Sequence, residues 1–172
     1  MYVDILILSQ LMHEQKHGYE IRKGAEKILG YIYKINNNSL YPVLRQFEEM
    51  GAIEKHIEVQ EGKPNRHVYH ITPLGKEILI DLIKDYTPEI ASNDYEFYTR
   101  VGLFDLIDGQ SRRTILKTRQ TALTQIHSHL DQIGQRDSLQ TQHFFAAQVI
   151  DMMKRQRQLE AAWIDEMLQE GI

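Results

Sequence analysis

The stretch Asn36-Asn37-Asn38-Ser39-Leu40-Tyr41-Pro42-Val43-Leu44-Arg45-Gln46-Phe47-Glu48-Glu49-Met50-Gly51-Ala52-Ile53 decides the fold. It opens with four polar residues, each a candidate to cap the free N–H groups of a helix, and it closes on a glycine suited to a left-handed helix end. Between them Leu40, Val43, Leu44 and Phe47 recur at helical spacing and predict one buried face. Pro42 leaves the start of this helix open. A start near Ser39 accommodates the ring, whereas an earlier one loses a backbone bond in the second turn.

Downstream the period changes from helical to two. Ala52 to Gln60 and Arg66 to Thr72 alternate apolar and polar residues and read as an antiparallel hairpin, with Glu61-Gly62-Lys63-Pro64-Asn65 as its turn. Thr72-Pro73 then reads as a helix cap with proline in the first position, leading into Ile78, Leu79, Leu82 and Ile83. Upstream, Tyr2 to Met12 is apolar nearly all round, which predicts a helix buried on more than one side and suits a dimer interface through Ile5 and Leu8. Gly18 opens a second helix with Tyr19, Ile21, Ala25, Ile28 and Leu29 at helical spacing, closed by Gly30. The order is helix, helix, helix, strand, strand, helix.

Beyond Pro88 the sequence reads as helical, with breaks at Gly109 and Gly134. Leu116, Leu123, Ile126, Leu130 and Ile133 fall mostly at spacings of three and four, as do Phe145, Val149, Met152, Leu159, Trp163 and Met167. Arg119 and Gln156 are polar residues in these seams, so the pattern fits a short helical hairpin or bundle better than a long coiled coil. The fold class expected is mainly α with one small antiparallel hairpin, divided into residues 1–86 and 87–172.

Composition bounds the function. The 172 residues carry 42% hydrophobic side chains, enough for an ordinary packed core. No run of 18 or more apolar residues suggests a membrane span, and Asp4 replaces the basic start of a signal peptide, so the chain is expected in the cytoplasm. Without cysteine there are no disulfides, thiol nucleophiles or thiolate zinc sites. The formal net charge of −4 offers no basic excess for nucleic acid. Residues 1–75, however, hold nine Lys and Arg against nine Asp and Glu, so the acidic excess lies wholly in the remainder, eleven against fifteen.

His17-Gly18-Tyr19-Glu20-Ile21, Ser39-Leu40-Tyr41-Pro42-Val43-Leu44, Phe47 to Ile53, and Tyr69 with Ile71-Thr72-Pro73-Leu74-Gly75 together resemble the PadR family of bacterial regulators. These separated motifs span about residues 3–85 in order. The resemblance implies a winged helix-turn-helix domain, a C-terminal α-helical dimerisation domain, and usually repression relieved by a small aromatic or drug-like effector. It implies as partners a second copy of the chain and duplex DNA with two-fold symmetry, and it calls for no cofactor or metal.

The residues agree with that implication. A helix from Ser39 to Met50 is about 18 Å long, enough to enter a major groove with its N-terminal end against bases. Asn38, Ser39 and Tyr41 sit there with hydrogen-bonding groups, and Arg45 follows one turn later. Lys34, Lys63, Asn65 and Arg66 flank this helix and the hairpin tip, where cations meet phosphates or a minor groove. His17 and Tyr19 start the second helix, whose free amides favour a phosphate. Leu123, Ile126, Leu130, Ile133, Val149, Met152, Leu159 and Trp163 are the C-terminal dimer candidates. Tyr95, Tyr98, Arg100, His127 and His143 are candidates for an aromatic effector pocket with cationic handles.

His13-Glu14-Gln15-Lys16-His17 also matches the zinc-protease pattern H-E-x-x-H. That chemistry needs an unbroken helix through both histidines, and Gly18 with a change of apolar register argues for a turn. No phosphate-binding glycine loop and no nucleophile elbow accompanies it. A winged-helix adaptor that does not touch DNA is the third reading, opposed by the polar face of the 39–50 helix.

Overall fold

A computed structural model describes residues 1–28, 35–59, 66–135 and 143–171. The expected hairpin tip, Leu29, Gly30, Lys34, Lys63 and Asn65 lie outside the described residues. The chain divides into two compact units, one of residues 1–85 and 98–107, the other of residues 86–97 and 108–172. Residues 98–107, grouped with the C-terminal region in the sequence reading, thus pack with the first unit.

The first unit contains α1 (Tyr2–Ser9), β1 (Lys16–His17), α2 (Gly18–Ile28), α3 (Asn37–Glu49), β2 (Ile53–Glu58), β3 (Arg66–Ile71) and α4 (Pro73–Lys84). Its sheet has three antiparallel strands in the order β1-β3-β2, not the two expected. The extra strand is two residues long, too short to show any period, and pairs Lys16 with Tyr69 and His17 with Val68.

Ile5, Leu6, Ile7 and Leu8 are all buried, which accounts for the all-round apolar character of α1. They pack into the core of their own protomer, where α1 meets α2, α3 and α4. Ile5 and Leu8 therefore have no apolar surface left for a partner, contrary to the dimer role expected of them. Ile21 and Ala25 from α2, Leu40, Leu44 and Phe47 from α3, Leu79 and Ile83 from α4, and Ile53 and Tyr69 from the sheet complete this core. Burying each large aliphatic side chain contributes about 1.5–3 kcal/mol.

The caps explain where the helices begin and turn. Asn36 caps α3, its Oδ1 accepting from the Ser39 backbone N–H at 2.9 Å. The helix starts before Ser39, so Pro42 lies inside it, and the bond that its missing N–H would have made in the second turn is absent. Gly51, at φ 72°, takes the left-handed conformation that ends α3. Thr72 joins the two ends: its hydroxyl donates to the Gly51 carbonyl at 2.7 Å and accepts from the Gly75 N–H at 3.1 Å.

Helix α5 (Asp94–Val101) crosses the boundary between units and a 3-10 turn follows at Phe104–Leu106. In the second unit, α6 (Gly109–Gly134) is capped by Asp108, which accepts from Ser111 N–H at 2.8 Å, and α7 spans Phe144–Gln169. Gln120 meets Asp165, Arg119 meets Glu160 and Lys154 meets Asp131, so the two helices run antiparallel. Leu123, Leu130 and Ile164 are buried between them.

The seam residue Arg119 is fully buried in this unit. Its Nε is 2.6 Å from Glu160, Nη2 is 2.5 Å from Asp94, and Nη1 donates to the Ala91 carbonyl at 2.7 Å. Its guanidinium also lies 5.0 Å over the Phe97 ring. Burial disfavours the charged guanidinium, but Glu160 and Asp94 outweigh it and strengthen its hold on the proton. Arg157 adds a second cation on Asp94 at 2.8 Å.

Candidate nucleic-acid interface

Helix α3 presents Tyr41 outward, 47% exposed, while Leu40 and Leu44 hold the opposite face in the core. The Tyr41 ring rests against the backbone of Gly18, where α2 begins. On one side of the ring is a groove of about 520 Å³ lined by His17, Gly18, Tyr19, Glu20, Arg66, His67 and Tyr69. On the other is a groove of about 490 Å³ lined by Asn37, Asn38, Pro42, Arg45, Gln46 and Glu49. Six of the residues singled out in the sequence, His17, Tyr19, Asn38, Tyr41, Arg45 and Arg66, thus line two grooves that share Tyr41.

Local bonding decides what each can offer. Ser39 is committed to the cap, its hydroxyl donating to Asn36 Oδ1 at 3.1 Å. Asn38 and Arg45 are exposed. Glu48 is engaged by Lys55 at 2.8 Å, so the acid one turn from Arg45 already holds another cation. Arg66 is exposed at the first position of β3, opposite Glu58. His17 contributes its backbone N–H to Glu20 at 2.8 Å, the returning half of a capping box. Its ring faces the sheet, with Nδ1 3.2 Å from the His67 carbonyl and Nε2 3.4 Å from Glu58.

The sequence reading missed two cations. Lys23 Nζ lies 4.7 Å and Arg22 Cζ 5.8 Å from the centre of the exposed Tyr19 ring, and Arg22 also donates to Asn37 at 3.1 Å, linking α2 to the start of α3. Their signal was the spacing of three and four from Tyr19, which places all three on one helical face.

The residues considered for an effector have other surroundings. Arg100 is fully buried, and it donates to the carbonyls of Leu82, Ile83 and Asp85 at 2.9–3.2 Å, satisfying the last turn of α4. Tyr98 is exposed in the first unit. Tyr95 lies in the part of α5 belonging to the second unit, and His143 is exposed at the N-terminal end of α7. His127 is 3.5 Å from Asp131 and lines a cleft of about 320 Å³ between α6 and α7, with Leu123, Arg157 and Asp165.

The protease pattern fails on geometry. Residues 10–14 form turns and bends, and Lys16 and His17 are strand β1, so no helix carries His13 and His17 on one face.

The profile described as "Transcriptional regulator PadR-like family" matches residues 7–81. An uncharacterized protein of Lysinibacillus sphaericus is 29% identical over 86 residues, covering 49% of this chain and 78% of that one. The solved structure of a transcriptional regulator from Clostridium thermocellum is 33% identical, covers 45% of this chain and 75% of that one, and superimposes with a TM-score of 0.42. Bacillus subtilis PadR, solved in complex with operator DNA, is 18% identical over 98% of this chain and 97% of that one, with a TM-score of 0.47. Over residues 7–81 this chain is thus similar to the PadR-like family of transcriptional regulators.

Proposed function

We propose that this regulator binds duplex DNA through α3 as a homodimer and represses transcription from a two-fold symmetric operator. The observation that carries the reading is the position of Tyr41, exposed on α3 and flanked by grooves that gather Asn38, Arg45, Tyr19 and Arg66. At thirteen residues, α3 is about 20 Å long, and an α-helix fits a major groove about 12 Å wide. The hydroxyl, amide and guanidinium groups on its exposed face suit base edges and phosphates.

Dimerisation is proposed through the second unit. Phe145, Val149, Met152, Leu159 and Trp163 are exposed along one stripe of α7, and pairing such stripes in two copies brings two α3 helices to one DNA. Among the described residues no helix is long and apolar enough to cross a membrane, and a cytoplasmic location follows from the proposed DNA target. Release by a small aromatic molecule is the accompanying proposal, with His127, which lines the cleft between α6 and α7, the residue to substitute first.

Footprinting with the purified full chain on the DNA upstream of its own gene tests the central reading. The expected result is a protected segment with two half-sites about one helical turn apart. Absence of binding to that DNA and to an unrelated duplex would instead favour a winged-helix adaptor.

A further inference from the structure

The outward face of the three-stranded sheet holds a cluster for which DNA binding has no use. Alternation along β2 puts Glu54, His56 and Glu58 on one face, and the register places Glu54 opposite His70 and His56 opposite Val68 of β3. Ile53 and Tyr69 occupy the other face and are buried in the core. His56 and His70 are diagonal neighbours whose rings stack with centroids 4.9 Å apart and planes within 7°. Glu54 Oε2 lies 3.3 Å from His70 Nε2. One ligand atom from each of the three residues lies within 4.8 Å of the others.

We propose that Glu54, His56 and His70 form a site for a divalent transition-metal ion of the zinc class. Two imidazole nitrogens and a carboxylate oxygen make a three-ligand set, and water completes the coordination. Metal–ligand bonds of about 2.0–2.2 Å separate tetrahedral donors by about 3.4 Å. The three donors therefore have to draw together by little more than an ångström. Glu54 and His56 are exposed and His70 is only partly covered, so rotation of their side chains supplies that movement without shifting the strands.

The donor set also selects the ion. Calcium and magnesium take mainly oxygen ligands, six or more for calcium, whereas imidazole suits zinc, copper and nickel. A bare ion pair between Glu54 and His70 would use two of the residues, with His56 only stacked on His70; a bound ion uses a donor atom of all three. Two ligands on β2 and one on β3 make the bound ion a cross-link between the strands of the hairpin that begins β3 at Arg66. The site stands whether or not α3 reads DNA, because its residues lie outside both grooves around Tyr41.

The test uses the full chain without a histidine tag, freed of metal by chelation. Calorimetric titration with Zn²⁺ is expected to give one equivalent per chain, and Co²⁺ is expected to give a visible absorption band that Zn²⁺ displaces. His56→Ala and His70→Ala should each weaken Zn²⁺ binding by more than the roughly 10- to 100-fold that loss of an outer-shell partner costs, and Glu54→Gln should weaken it too. His129→Ala, on α6, should leave it unchanged. Circular dichroism confirms that each variant is folded. Absence of Zn²⁺ binding by the wild-type chain overturns the proposal, as does wild-type affinity in a folded His56→Ala/His70→Ala double variant.

Discussion

Tyr41 on α3 lies so close to Gly18 at the start of α2 that a Cβ added to the glycine would be 3.3 Å from both the Cε1 and the hydroxyl oxygen of the tyrosine ring. The backbone of one helix thus supports the side chain that the other presents. With nearly half its surface exposed, Tyr41 contributes little to the core, and Tyr41→Ala should leave the unfolding midpoint almost unchanged. Operator affinity should fall by about 1–3 kcal/mol, as for loss of a base contact. Gly18→Ala must push the ring by a few tenths of an ångström and should give a smaller loss in the same direction. Fluorescence anisotropy on labelled operator and thermal unfolding measure both effects.

Arg66 begins β3 on the rim of the groove that also holds His17 and Tyr19. A cation there acts on phosphate charge, so its removal should weaken specific and non-specific DNA alike. The plot of log affinity against log salt should become shallower by about one unit for Arg66→Ala. An unchanged slope across a salt series would remove Arg66 from the DNA face.

Gly75 marks the joint between α3 and α4. A Cβ there would collide with the backbone carbonyl of Ala52 and would come 2.7 Å from Ile71 Cγ1, and neither is the free end of a flexible side chain. Gly75→Ala should destabilise the protein by about 1–3 kcal/mol, the range for overpacking a tight site. Thr72→Ala, which removes the cap on Gly75 N–H, should cost about 1 kcal/mol. Urea unfolding monitored by circular dichroism gives both values.

The order of elements in the first unit was legible because each boundary has a chemical cause next to it: Asn36 and Thr72 as caps, Gly51 as a left-handed terminus, alternation in β2 and β3. Strand β1 was not legible, since two residues have no period and its identity depends on Val68 and Tyr69 far along the chain. Tyr41, Asn38, Arg45 and Arg66 could be placed on one face because helix and hairpin geometry orients them locally. Arg100 and Arg119 were misjudged or left as irregularities for the opposite reason. What they do is set by carbonyls and carboxylates that only the folded chain brings to them, and a charged residue in a helical pattern does not announce such partners. The apolarity of α1 was read correctly, but whether a protomer or a partner covers it is a tertiary fact.

The buried cluster around Arg119 predicts a defined dependence on charge and pH. Arg119→Met preserves much of the volume but breaks a buried pairing, and it should destabilise the chain by about 3–5 kcal/mol. Burial pushes the Asp94 carboxyl up, while hydrogen bonds from Arg157 and Arg119 outweigh it and hold the carboxyl below its ordinary value. A carboxyl depressed by folding stabilises above its unfolded pKa, about 3.9, and that stability is lost as pH falls through the folded value. Asp94→Asn should therefore be less stable than wild type at pH 7, with the gap narrowing below about pH 4. Because the Asp94 side chain is 37% exposed, water screens the effect and keeps it modest. Unfolding midpoints of the two proteins from pH 7 down to pH 3 provide the comparison.

The proposed dimer is best tested on α7 by a single substitution. Removing everything after Tyr86 would also remove Arg100, whose bonds to the carbonyls of Leu82, Ile83 and Asp85 finish α4, so a truncated chain would confound assembly with folding. Leu159 avoids that problem, since it is 74% exposed within the protomer and lies on the stripe with Met152 and Trp163. Leu159→Asp should leave the protomer folded, because exposed positions tolerate substitution within about 0.5 kcal/mol. In a two-copy interface of about 2,000 Å² the same change buries an unpaired charge and should shift the protein toward monomer. Each monomer then meets its half-site alone, and operator affinity should fall by about 10²- to 10⁴-fold through lost bivalency, with non-specific affinity per chain little changed. Sedimentation velocity across a concentration series reads the assembly directly. A Leu159→Asp chain that remains a dimer of wild-type strength would show that the α7 stripe is not the contact between subunits.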